Sequence, residues 1–439
     1  MSPTNTDVPS MSSVHPGDRW NILTRTGPGE PAGELLRRYW QPIGIASEFP
    51  AGAPPAHIRV LSENLVLFRD EAGELGLLAL LCPHRNADLS YGRIENGGLR
   101  CPYHGWLFDR SGACLEQPNV PAAQRSAVNW RQPSFPVQER GGLVWAYLGS
   151  GEPPVLPDYP FLDAPAEHVF INRWLSECNY LQANEGNIDP SHTSFVHRME
   201  HPAADATMTG FEADSAPRLS VVETSYGFRL LAERDYVDGK TFLRCSNFIL
   251  PNGASANGFE AMYGLGGATM LWHVPIDDHT HYRYEITYHA HSELDSAILA
   301  QSIEAELDEN GKRRRLLENR FLQDRSEMID KTFAGVGTAF PIHDLLVTES
   351  MGSISDRRTE HLTPSDLGVM RARRMLLQAV EDVQAGKEPK GIWREDGLGS
   401  FTDFVTFSDW IEKNADPAEH AEQMTRRNIY ARTEPDNAG

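Results

Sequence analysis

CPHRNADLSYGRIENGGLRCPYHGW, running from Cys82 to Trp106, is the segment from which the architecture of this chain can be read. It presents one Cys-x-His loop and one Cys-x-x-His loop, with sixteen residues between them. Each loop offers a thiolate and an imidazole. Two such loops suit a [2Fe-2S] cluster in which both cysteines hold one iron and both histidines the other, and neutral imidazoles raise its potential above that of an all-thiolate cluster. Zinc accepts the same four donors, although zinc modules more often use Cys-x-x-Cys knuckles and helical His spacing, so a Cys2His2 zinc site is the alternative reading. Pro83, Pro102 and Gly105 supply tight turns, and Asn96-Gly97-Gly98 supplies a hairpin turn inside the spacer. The two loops are expected at neighbouring tips of one β-domain.

The flanking sequence has the same character. Ile58–Arg69, Leu75–Leu81, Gly98–Cys101, Trp106–Asp109 and Gly142–Leu148 are short β-prone runs punctuated by Gly, Asn and Pro, the rhythm of a small antiparallel domain ending near Gly149. Before it, Pro31–Trp40 reads as a short amphipathic helix with Leu35, Leu36, Tyr39 and Trp40 on one face. After it, Ser150–Pro165 carries five prolines and reads as an extended linker. Beyond the linker, Tyr282, Tyr284, Ile286 and Tyr288 alternate with Arg283, Glu285, Thr287 and His289, as in a strand with one apolar and one polar face. Strands are also expected over Ser220–Glu233, Thr241–Leu250 and Ala268–Pro275, and helices over Glu293–Glu306, Arg313–Asp330 and Ser365–Ala385. The organisation is thus α+β: residues 1–40 as a terminal segment and docking helix, 41–149 as the cluster domain, 150–439 as a larger second domain.

Composition sets limits on function. With 439 residues, 40 Lys and Arg against 61 Asp and Glu, and a formal charge of −21, the chain is too large for a lone binding module and too acidic to favour nucleic acid or anionic membranes. No apolar run is long enough for a membrane span, and polar Met1–Trp20 lacks a signal-peptide core, so a cytoplasmic protein with a loose head is expected. Of the five cysteines, Cys114, Cys178 and Cys245 have no partner at ligand spacing and read as ordinary buried thiols. Lys312–Arg315 reads as a solvated helix face, and His289 and His291 as surface or pocket-lining groups.

A second cluster of chemistry-bearing residues lies in NYLQANEGNIDPSHTSFVH, from Asn179 to His197. Gly186 is a helix stop, Asp189 an N-cap and Pro190 a first helical residue. His192 and His197 stand five apart, roughly 140° around a regular helix, so they could meet one ion only if the helix is distorted or ends locally. Asp189 alone would be no more than a cap.

The Cys82–Trp106 segment resembles the Rieske motif, and its pairing with N-x-x-Q-x-x-E-G-x-I-D-x-x-H-x4-H resembles the large oxygenase subunits of the Rieske non-heme iron family. The likeness is strongest to the phthalate dioxygenase-like branch, which includes aryl O-demethylases, and extends to LRRYWQPIG near Leu36, WHVPIDD from Trp272 and ESMGSISDRRTEHL from Glu349. The resemblance implies a helix-grip catalytic domain, an antiparallel sheet with helices. Cys82, His84, Cys101 and His104 would hold one [2Fe-2S] cluster per chain. His192 and His197 would hold one Fe(II), with Asp344 as the third ligand; Asp344 could instead be a helix N-cap, and Asp330 and Asp324 are weaker substitutes. Asp189 would be the carboxylate that hydrogen-bonds a mononuclear-site histidine and, across a subunit boundary, His104, which implies a head-to-tail homotrimer. Asn86 departs from the family's usual Gly.

The implied activity is that of an oxygenase component, a ring-hydroxylating dioxygenase or O-demethylating monooxygenase of aromatic catabolism. It would use O2, an aromatic and acidic small-molecule substrate, and electrons from a separate NAD(P)H-dependent flavin/iron-sulfur reductase. Arg244 is a candidate for pairing with a substrate carboxylate, or a salt-bridge residue. The competing reading is a Rieske electron carrier or sensor without oxygenase chemistry, for which the small β-domain alone would suffice.

Overall fold

The computed structural model describes residues 17–124, 130–199, 210, 214–236, 239–256, 265–395 and 401–430. The head expected to be loose lies, up to residue 16, outside the described residues. Three small antiparallel sheets make up the first part of the chain. The strands Ala56–Val60, Glu63–Arg69, Leu75–Ala79 and Ser134–Phe135 form one, and Gln41–Ile45, Leu143–Ala146 and Val137–Arg140 form another. The third contains Arg93–Glu95, Gly98–Arg100, Leu107–Phe108 and Cys114–Glu116.

The expected hairpin is present between Glu95 and Gly98, with both Asn96 and Gly97 at positive φ. Such a turn matches the right-handed twist of its strands. Ile58–Arg69 is not one strand but a hairpin that turns at Leu61 and Ser62, again both at positive φ. Neither residue favours that left-handed backbone. Tertiary contacts hold it: Leu61 is fully buried, and the N–H groups of Leu61 and Ser62 donate to the carbonyls of Pro275 and Ile276.

The second part is built on an eight-stranded antiparallel sheet in the order 169–176, 281–289, 267–275, 253–256, 240–249, 227–235, 218–223. The strand Phe407–Glu412 pairs with the first half of Lys240–Ile249, beside the stretch taken by Gly253–Ala256. The helix Tyr180–Asn187 lies against the sheet and against both Phe340–Ser350 and Leu367–Gln384. A continuous apolar core runs from the first part into the second, where Trp145 packs edge-on against Trp272 with ring centroids 5.6 Å apart. Burial of each such side chain contributes about 1.5–3 kcal/mol. Among the described residues, no helix is long and apolar enough to cross a membrane.

Three expectations fail here for physical reasons. Arg313–Asp330 is not a helix: a 3-10 turn spans Leu317–Leu322 with Arg320 and Phe321 left-handed, and only Glu327–Asp330 is α-helical. Lys312–Arg315 is consequently no solvated helix face, since Arg313 is buried on Glu349 at 2.7 Å and Arg315 pairs with Glu306 at 3.0 Å. His281–His289 has no solvated polar face, because Arg283, Glu285 and His289 are all buried; helices cover the side that alternation assigns to water. Cys178 and Cys245 are free buried thiols, and Cys114 is half-buried.

Candidate active site

The two Cys–His loops are near copies of each other. In each, the cysteine N–H donates to the carbonyl of the residue five places on, Ala87 or Trp106, and its own carbonyl accepts from the residue four places on, Asn86 or Gly105. Asn86 and Gly105 occupy the same left-handed position, at φ 59° and 74°. This accounts for Asn86: asparagine is the side chain that enters this region most readily after glycine. We expect Asn86→Gly to leave the loop unchanged and Asn86→Val to destabilise it by about 1–2 kcal/mol. Thermal midpoint and retention of the brown chromophore would check this, and equal behaviour of the two variants would contradict it.

Cys82 and Cys101 lie buried side by side, and burial pushes the Cys82 thiol up to about 12. The rings of His84 and His104 stand 4.5 Å apart, and His104 Nδ1 is buried with no hydrogen-bond partner. Two adjacent thiols without a disulfide and an imidazole nitrogen left unsatisfied fit a donor set built for metal.

In the second part of the chain, His192, His197 and Asp344 converge, with one donor atom of each within 4.8 Å of the others. The helix Tyr180–Asn187 runs one residue past Gly186, and Asp189 Oδ1 then accepts from the Ser191 N–H. Between Pro190 and His197 no regular helix forms. His192–Ser194 is a single 3-10 turn that breaks at Phe195, and this local end lets both imidazoles face one point. Asp344 lies inside the helix Phe340–Ser350, whose N-cap is Ala339, so the cap reading is excluded. Asp324 instead caps its own turn at Ser326.

Hydrogen bonds fix the histidine tautomers. His343 Nε2–H donates to Gly337 O at 2.8 Å, leaving His343 Nδ1 to accept from His197 Nδ1–H at 3.2 Å. His192 Nδ1–H donates to the Asp189 carbonyl. Both rings therefore turn an unprotonated Nε2 toward the common point, where the two nitrogens are 3.2 Å apart and Asp344 Oδ1 is 3.1 Å from His197. Three lone pairs facing one another repel unless a cation lies among them, so the residues fit a mononuclear metal with three protein donors. Burial pushes His197 down to about 4 despite the neighbouring carboxylate, which keeps the ring neutral. Burial alone would raise Asp344, but the permanent cation Arg283 beside it holds it well below the usual carboxylate range.

The Asp189 carboxylate does not bond His192, standing 3.9 Å from Nδ1 while the main-chain carbonyl of Asp189 takes that proton. Its side chain is 29% exposed, accessible from outside the chain. Arg244 is half-buried in the sheet, near the fully buried Arg234, which donates to Pro190 O and Thr193 Oγ1. Burial, then Arg244, push Arg234 down to about 10. His343, Arg234 and Arg283 were not singled out from the sequence; only the placing of His343 directly before Asp344 could have drawn attention to one of them. Glu185, within the Asn179–His197 motif, proves to be a brace, ion-paired to Arg373 and Arg357.

The Rieske [2Fe-2S] domain model matches residues 39–136, and the LigXa C-terminal domain-like model matches residues 146–438. The phthalate 4,5-dioxygenase oxygenase subunit of Pseudomonas putida is 35% identical over 391 residues, covering 84% of this chain and 87% of that protein. The chain belongs to the Rieske non-heme iron oxygenases. The 5,5'-dehydrodivanillate O-demethylase oxygenase subunit of Sphingobium sp. (strain NBRC 103272 / SYK-6) is 33% identical over 88% of this chain and 85% of that subunit. The fold agrees with dicamba monooxygenase bound to dicamba, at a TM-score of 0.57 and 19% identity over 80% of this chain and 99% of that one.

As a Rieske oxygenase, the protein is the oxygenase component of a multicomponent system, with a [2Fe-2S] cluster and a mononuclear iron as its cofactors. Electron carriage alone does not describe it, since its relatives are oxygenase subunits along most of their length.

Proposed function

We propose that Cys82, His84, Cys101 and His104 hold the cluster, that His192, His197 and Asp344 hold the mononuclear Fe(II), and that the substrate is an aromatic acid. The observation that carries this reading is the convergence of two Nε2 lone pairs and an anionic oxygen on one point. When bound, the metals supply one-electron transfer and reductive activation of O2. The chain's own residues supply the rest. His343 and the Asp189 carbonyl hold the two imidazoles in their donor tautomers, Arg283 keeps Asp344 ionised, and the half-exposed Asp189 carboxylate accepts from His104 of the partner subunit.

Two exposed apolar rims support a head-to-tail homotrimer. Tyr91, Tyr103 and Leu81 stand exposed beside the Cys–His loops, and Phe195, Phe333 and Ile329 stand exposed beside the histidine turn. Exposed apolar patches at two different places on one chain suit a heterologous contact that closes into a ring. The reductase would be an NAD(P)H-dependent flavin/iron-sulfur protein, and the assembly cytoplasmic.

Arg244, with Arg234 close by, raises the potential where a substrate carboxylate would be drawn. The named substrates of the relatives include phthalate, 3-chlorobenzoate and dehydrodivanillate. Anaerobic purification followed by iron, zinc and acid-labile sulfide analysis tests the metal assignment: about three irons and two sulfides per chain are expected. Zinc without sulfide would overturn it. With a reductase supplied, formaldehyde release from methoxylated aryl acids would identify demethylation, and a cis-dihydrodiol would identify ring dihydroxylation.

A further inference from the structure

The two oxygens of Asp344 meet different surroundings: Oδ1 faces the histidines, and Oδ2 is held by an arginine. Oδ1 lies 3.1 Å from His197 Nε2 and 3.7 Å from His192 Nε2. Oδ2 accepts from Arg283 Nη1 at 2.8 Å. The other arm of the same guanidinium, Nη2, lies 2.7 Å from Glu285 Oε1, and Glu285 Oε2 accepts from Trp174 Nε1 at 3.0 Å. Trp174, Glu285 and Arg283 are all buried. The planar fork of Arg283 is thus braced on neighbouring strands, since Trp174 and Arg283 are cross-strand partners, and it reaches Asp344 in a fixed direction.

A carboxylate can bind a cation through one oxygen or through both. We propose that Arg283 is a positioning residue that restricts Asp344 to one-oxygen ligation, so that the site binds its metal less tightly but keeps one more coordination position free. This rests on the reading of Asp344 as a ligand. Chelation by both oxygens would require Oδ2 to give up a buried charge-assisted hydrogen bond. The positive charge of Arg283 also opposes a divalent cation, and Glu285 offsets that charge only from its far side.

The sign of the effect separates this proposal from a merely structural role. If Arg283 only steadied Asp344, its removal would weaken metal binding. If it holds back chelation, Arg283→Gln frees Oδ2, removes a positive charge and tightens binding. Groups that touch a ligand rather than the metal shift affinity by about 10- to 100-fold, and we expect the lower figure as a gain. The test is titration of metal-depleted oxygenase, its cluster intact, with Co(II), followed by ligand-field absorption. Arg283→Gln should bind Co(II) about tenfold more tightly than the native chain. Arg283→Lys, which keeps the charge but not the two-pronged grip, should shift it in the same direction by less, and it carries the test if the glutamine variant does not fold.

The Fe(II) form of Arg283→Gln should also take up nitric oxide, a neutral probe of open positions, more weakly than the native protein. Unchanged or weaker Co(II) binding in both variants would overturn the proposal, as would undiminished nitric oxide uptake. Asp344→Asn serves as the separate control. If it binds Co(II) as tightly as the native chain, the assignment of Asp344 as a ligand fails whatever Arg283 does.

Discussion

His192→Ala is expected to abolish turnover while the cluster is still reduced at the native rate. The substitution leaves the site with two donors, His197 Nε2 and Asp344 Oδ1, which are too few for a stable three-point hold. Altering a residue that merely supports a ligand costs about 10- to 100-fold, so loss of a ligand should cost at least about two orders of magnitude. The fold should tolerate the change. His192 lies on a short 3-10 turn with its side chain 22% exposed, and the Thr193 and Pro190 contacts to Arg234 remain. Iron should fall from about three to about two per chain with sulfide constant. Turnover that persisted with full iron would remove His192 from the site.

The second large effect is expected at Asp189. Asp189→Asn keeps an oxygen to accept from the Ser191 N–H, and the main-chain carbonyl still takes the His192 proton, so the turn and the metal content should survive. On the proposed head-to-tail assembly, what is lost is the negative charge that Asp189 would offer to the neighbouring subunit. Removing one charged hydrogen-bonding group from between two reacting centres costs on the order of 10²-fold or more, and we expect that loss in the reoxidation rate of a prereduced cluster in a single turnover. Native iron content and a native cluster spectrum, with reoxidation slowed, would place the defect between the two centres. Native reoxidation kinetics would show that electrons pass by another route.

The two expected defects differ in kind because their residues were legible to different degrees. The cluster loops could be read directly, since all four donors lie within 23 consecutive residues, Cys82 to His104, and the turns that bring them together are written in Pro83, Asn96-Gly97 and Gly105. Even the odd residue, Asn86, makes local sense once its left-handed backbone is known. The histidine pair was legible only conditionally. Regular helical geometry would have spread His192 and His197 apart, and nothing in Pro190–His197 states that the helix ends after one 3-10 turn.

Asp344 comes from a helix distant in sequence, where the family likeness rather than any local signal pointed to it. Arg283 was misread because alternation in Tyr282–Tyr288 correctly marks a strand but cannot tell whether its polar side meets water or helices. The helix expected over Arg313–Asp330 failed for a related reason, since Arg320 and Phe321 adopt left-handed backbone that no local preference of theirs supports.

The sequence by itself determined the turns of the Cys–His loops, the strands Lys240–Ile249, Gly267–Pro275 and His281–His289, and the helix Leu367–Gln384, because each is encoded in neighbouring residues through period and turn chemistry, whereas Ile58–Arg69 and Ser220–Glu233 each proved to be two strands. The tertiary structure alone decided which nitrogen of each histidine is free, that Asp189 bonds His192 through its main chain, and that Asp344 presents one oxygen and yields the other to Arg283. The His197 and Asp344 features arise where strands and helices far apart in the chain meet, and a proton's position or a carboxylate's orientation is set by what lies across that contact, while the Asp189–His192 bond spans three residues and depends on the local end of the helix.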